Sequence, residues 1–170
     1  MKFKHIIFIF LSFVLGFFSG NAIKFLYEVT TFKPWGWKDN PVVVNCYGDD
    51  FNEGQLVRGI DYWSVRGHNI AFYEMNPSKN ICENEYLDGF IILRKAPPNK
   101  YDSELLAVTS RWTAGLYMEG AVIWFKPGTQ NLELIIEHEL GHAFGYGHVE
   151  IEDHLMHPEY EKMSGKFWIP

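Results

Sequence analysis

The chain has 170 residues, a formal net charge of −6, and 47% hydrophobic and 17% aromatic residues. That composition excludes intrinsic disorder, and the length suits one domain around one core. The acidic balance argues against nucleic acid as a partner, gives no reason to expect adhesion to anionic lipid, and mildly favours cationic substrates.

Lys2 and Lys4 precede an apolar run from Ile6 to Phe18 broken only by Ser12 and Gly16, and Gly20 and Ala22 follow as small residues. This is the layout of a secretory signal peptide over residues 1–22. Read on through residue 23, the run from residue 6 makes an N-terminal membrane anchor the alternative. Either way the rest of the chain is expected outside the cytoplasm, secreted or extracytoplasmic. Membrane attachment would come only through this segment, and a monomer is expected.

Residues 23–40, with Pro34, Trp35, Gly36 and Trp37, read as an extended lead-in to a domain over 41–170. Val42 to Tyr47 is rich in β-branched residues and predicts the first strand. Asp49, Asp50 and Asn52 offer caps for a helix over 53–66, where Leu56, Val57, Ile60 and Trp63 follow a helical period. Strands are predicted over 70–75 and 87–93, with a polar loop over 76–85 that Pro77 keeps from pairing. Two more extended runs, 105–112 and 120–125, are joined through Ala114-Gly115. Pro127-Gly128-Thr129 then breaks the sheet before a helix over 131–144. The order β-α-β-β-β-β-α is α+β: a twisted sheet packed on two helices.

Export gives the two cysteines meaning. Cys46 and Cys82 can close one loop, worth roughly 3–4 kcal/mol in the chain-entropy model. The alternative is a pair of buried free thiols.

The most informative stretch is His138-Glu139-Leu140-Gly141-His142-Ala143-Phe144-Gly145-Tyr146-Gly147-His148. Residues four apart share a helix face, so His138 and His142 can offer imidazoles to one ion. Gly145 can leave the helix through φ > 0 and return His148 as a third ligand. Three nitrogen ligands leave one position open on a tetrahedral zinc, the mark of a catalytic rather than a structural site. Glu139 lies on the same turn and can take a proton from water there. His68 and His154 read as surface or core histidines, and neither Tyr146 nor His157 is given a catalytic role.

The motif resembles that of the metzincin zinc endopeptidases, and Leu155-Met156-His157-Pro158-Glu159-Tyr160 is similar to the Met-turn segment of the matrixins, the matrix metalloproteinase family. The likeness covers roughly residues 40–160 and is sharp from 131 to 160. It implies a twisted, mostly parallel sheet with an antiparallel edge strand, packed on two helices. It implies Met156 as an apolar floor under the metal, and Pro158 to Tyr160 as a wall of the S1′ pocket. Leu106, Ala107, Val108 and Thr109 would form the edge strand that pairs with an extended peptide or protein substrate. An ordinary strand without a ligand is the other reading of that run. Val122, Trp124 and Lys126 stand where the family carries ligands for further metals, so one catalytic Zn2+ is expected and no structural zinc or calcium. The chain stops ten residues after Tyr160, so the family's C-terminal helix is expected to be missing or reduced. Phe167 and Trp168 are placed to pack on the core in its stead. The function implied is an exported endopeptidase with Glu139 as general base. The alternatives are a silent zinc- and peptide-binding module, and a zinc hydrolase acting on another amide such as a cell-wall crosslink.

Overall fold

The computed structural model describes residues 36–98 and 104–169. The expected signal or anchor segment and residues 23–35 of the lead-in lie outside these residues, and no helix among the described ones is long and apolar enough to cross a membrane.

The sheet has six strands: β1 (Gly36–Trp37), β2 (Val42–Cys46), β3 (Phe72–Glu74), β4 (Phe90–Lys95), β5 (Ala107–Ala114) and β6 (Tyr117–Phe125). They run in the order β1-β6-β4-β2-β3, with β5 paired to β6 along its other side. All pairings are parallel except β5 with β6. Central parallel strands are covered on both faces, which explains why β2 and β4 are continuous apolar runs rather than alternating ones.

Successive residues of each strand face opposite sides, so the sheet has two apolar layers. On the inner face Val43, Ile91, Leu93, Ile123 and Phe125 pack against α1 (Glu53–Ser64) and α3 (Ile135–Ala143) through Leu56, Trp63, Ile136 and Leu140. On the outer face Val44, Ile92 and Val122 are buried beneath Ile81, Leu87, Trp112 and Trp124. A disulfide between Cys46 and Cys82 ties that cover to the end of β2, with Cα atoms 5.4 Å apart.

Several boundaries differ from expectation. The predicted loop over 76–85 contains a short helix, α2 (Lys79–Glu83), so the sheet meets three helices rather than two. Its five residues carry too little periodicity to be read, and Ile81 and Cys82 draw it onto the outer face. β4 starts three residues later than predicted, because Gly89 takes φ 82 and turns the chain into the sheet. β3 is shorter than predicted and mostly exposed. Residues 36–37 of the lead-in form the extra strand β1.

The last helix begins at Ile135 rather than 131. Asn131 is engaged elsewhere: its side chain accepts from Asn52 N–H at 3.0 Å and donates to Asp50 O at 2.8 Å. Those bonds steady the loop in which the Asn52 side chain caps α1 through Gln55 N–H, as the sequence predicts. Leu134 then adopts φ 64, a left-handed conformation that a helix cannot contain.

After residue 148 the described chain has one turn of 3-10 helix, Tyr160–Lys162. Residues 163–169 return along the core. Phe167 meets Trp63 and Tyr146 at ring distances of 4.9 and 4.8 Å, and Leu155 N–H donates to Lys166 O at 2.7 Å.

Candidate metal and active-site cleft

Helix α3 is buried along nearly its whole length, so its polar residues point where packing leaves an opening. His138 and His142 lie one turn apart on that side. Their Nε2 atoms are 3.0 Å apart, and Nε2 of His148 is 3.1 Å from that of His142. Two nitrogens bound to one tetrahedral zinc lie roughly 3.3 Å apart, so the three converge as ligands of a single ion would. No other His, Cys, Asp or Glu joins this group among the described residues.

The return of His148 rests on the helix end. Gly145 takes φ 102; its N–H donates to His142 O at 2.9 Å, and Tyr146 N–H reaches back to Gly141 O at 3.0 Å. This pair of bonds is a Schellman motif, which a residue with a Cβ enters only under strain. Arg111 Nη1 and Trp37 Nε1 donate to the last carbonyls, of His142 and Ala143, at 2.9 and 3.0 Å. Beyond the turn, Val149 N–H donates to Met156 O at 2.9 Å and fixes the strand of chain that carries His148.

Orientation of the two helical rings comes from main-chain oxygens. His138 Nδ1–H donates to Leu155 O and His142 Nδ1–H to Tyr146 O, each at 2.8 Å. With Nδ1 protonated, a neutral ring presents its Nε2 lone pair to the cleft. Burial pushes His138 down to about 4, against the opposing pull of the Leu155 carbonyl. Burial, reinforced by the neighbouring His138 ring, pushes His142 down to about 3. His148 is lowered as well, by burial and then by His157. The rings are therefore neutral donors near pH 7, and this donor set fits zinc with one coordination position open.

Glu139 is 4% exposed and lines the same cleft. Burial raises its carboxyl to about 7, against a hydrogen bond from Thr109, whose Oγ1 lies 2.5 Å from Oε2.

The cleft encloses about 690 Å³. Its lining includes Leu106 and the edge-strand residues Ala107, Val108 and Thr109, Pro158 and Tyr160, the apolar Ile135 and Met163, and the acidic Glu104, Glu159 and Glu161. The residues singled out in the sequence at 138, 139, 142, 148, 106–109, 158 and 160 thus surround one cavity. Met156 does not line it. That residue is fully buried, with its sulfur against the backbone of Gly141 on α3. The Cys46–Cys82 bridge lies with the outer layer, on the other face of the sheet.

His154 and His157 are buried and take no place in the triad. His154 Nδ1 accepts from Met156 N–H at 3.0 Å, and its Nε2–H donates to Trp168 O at 2.9 Å. His157 Nδ1 accepts from Glu159 N–H at 3.0 Å. His68 sits among Trp63, Phe144 and Tyr146, with its Nε2 2.8 Å from the Tyr146 hydroxyl. Sequence reading misses Gly141, Arg111 and the hydroxyl of Thr109. A glycine between two candidate ligand histidines is the one signal in the sequence; the other two depend on strand register.

A family model for matrixin matches residues 53–170. The chain belongs to the matrixin family. No curated protein matches it. For a matrixin, the parallel sheet, the antiparallel edge strand and the three-imidazole cluster are the expected frame, and the protein is a zinc metallopeptidase in kind.

Proposed function

We propose that this matrixin is an exported endopeptidase whose His138, His142 and His148 hold one zinc ion and whose Glu139 is the general base. The observation that carries the reading is the convergence of three Nε2 atoms beside a buried carboxylate, in a cleft bounded by a sheet edge. When bound, zinc would polarise the scissile carbonyl and lower the pKa of a water molecule.

The chain's own residues supply the rest. β5 is paired on one side only, to β6, among the described residues, so an extended peptide can join it as a further strand. That pairing aligns a backbone carbonyl with the triad. One substrate side chain then enters the cleft between Ile135, Met163 and the wall of Pro158 and Tyr160. Glu139 takes a proton from the attacking water and delivers it to the leaving amine. Met156 supports the helix from below through Gly141. Export is supported by the Cys46–Cys82 disulfide, which persists in an oxidising compartment, together with the apolar run of residues 6–18.

Elemental analysis of the purified domain, combined with a peptide-library cleavage assay, tests the proposal. The expected result is one zinc per chain and cleavage at internal bonds. Glu139→Ala should keep the zinc and lose the cleavage; equal cleavage by both forms would remove Glu139 from the mechanism. Cleavage confined to peptidoglycan would make the endopeptidase assignment wrong.

A further inference from the structure

A general base works only if its carboxylate is held in one orientation, because an error of about 1 Å in such a group costs on the order of 100-fold in rate. Glutamate has three rotatable side-chain bonds, and a helix restricts only the first of them. Among the described residues the side chain of Glu139 has one hydrogen-bond partner, Thr109, through Oε2. The same hydroxyl lies 3.3 Å from the backbone carbonyl of Glu139, so it sits over this residue in particular.

Thr109 is itself fixed. It stands opposite Ile123 in the antiparallel ladder of β5 and β6, and β-branching restricts its χ1. Its hydroxyl is therefore a donor placed by the sheet rather than by a mobile loop. With Oε2 taken, Oε1 is the oxygen left for water. Thr109 also lines the cleft on the edge that a peptide would join, so one residue serves both substrate alignment and the base.

We infer that Thr109 is a positioning residue for Glu139, its hydroxyl locking the carboxylate in the orientation that serves proton transfer. The inference rests on the peptidase reading above and adds to it a link between the edge strand and the base.

Thr109→Val replaces the hydroxyl by a methyl group of similar size. The variant should bind one zinc per chain and keep KM, while kcat falls roughly tenfold or more. Thr109→Ser should restore most of the rate. Affinity for a peptide hydroxamate, whose hydroxyl a carboxylate beside the metal can hold, gives a readout independent of turnover. Thr109→Val should weaken that binding roughly tenfold in the otherwise native protein and leave it unchanged in a Glu139→Ala background. Thr109→Ala repeats the cycle if the valine variant does not fold.

Equal losses in both backgrounds, or an unchanged kcat, would overturn the inference while leaving the peptidase reading intact. A zinc-loaded native protein that neither cleaves peptides nor binds the hydroxamate would overturn both.

Discussion

A Cβ added to Gly141 would lie 2.5 Å from the sulfur of Met156 and 2.6 Å from the ring of Trp63. The helix that carries His138 and His142 is thus pressed against the turn at 156 and against α1 through bare backbone. Both neighbours are fully buried, so neither can move aside cheaply.

Gly141→Ala should therefore destabilise the fold by about 1–3 kcal/mol, the usual cost of overfilling a packed core, although alanine is the better helix former. Urea denaturation of the two proteins checks it. A rise in the midpoint would mean that the contact is loose.

The three histidines of the cluster should not be equivalent to the fold. His148 is exposed, whereas His138 is buried and bonded to Leu155 O. His148→Ala should lower zinc content while shifting the stability of the metal-free protein by no more than about 0.5 kcal/mol. His138→Ala should lower both, the second by about 2 kcal/mol, since it leaves a cavity and an unpaired carbonyl. Metal analysis and denaturation of chelator-treated samples separate the two effects.

The metal-free protein should lose stability on acidification. Burial depresses His138 to about 4 and His142 to about 3 from 6.5, so below pH 6.5 the unfolded chain takes up protons that the folded chain refuses. Their contribution is whole above pH 6.5 and is lost as pH falls towards 4 and 3. Glu139 acts oppositely: raised from 4.5 to about 7, it contributes fully below pH 4.5 and loses that contribution as pH rises through 7. Between pH 6.5 and 4.5 these three groups leave the unfolded state one proton ahead, a slope of roughly 1.4 kcal/mol per pH unit, to which His148, lowered by burial, adds and which Glu137, raised by burial, opposes. Glu139→Gln should make the slope about twice as steep. Urea midpoints at pH 6.0 and 5.0 measure both, and a midpoint that rises with acid would refute the assignment.

Reduction of the disulfide should weaken the fold without dismantling the cleft. Cys46 and Cys82 are 36 residues apart, and replacing both by serine should cost roughly 3–4 kcal/mol by loop-closure entropy. The bridge serves the outer layer, while His138 and His142 sit on a helix of the inner one. Peptide cleavage below the lowered melting temperature should persist. Loss of zinc on reduction at that temperature would show that the two layers are coupled.

What the sequence reveals and what it conceals divide along physical lines. The triad is legible because metal coordination fixes residue type and spacing at once, and Gly145 because a left-handed residue at a helix end is usually glycine. The strands are legible as apolar runs, but their ends are not: Gly89 and Leu134 set boundaries through backbone conformations that no periodicity encodes. Asn131 reads as a helix-opening residue yet spends its side chain on a loop 79 residues earlier in the chain. The contacts of Gly141 with Met156, and of Thr109 with Glu139, join segments that meet only after the sheet has formed. Residue identity alone gives no hint of such meetings.

The rings of His138 and His142 are steadied by the peptide oxygens of residues 155 and 146 rather than by neighbouring side chains. Every amino acid brings that oxygen with it. The grip on the imidazoles is thus written in the path of the main chain, and the letters at 146 and 155 are free to answer to other contacts.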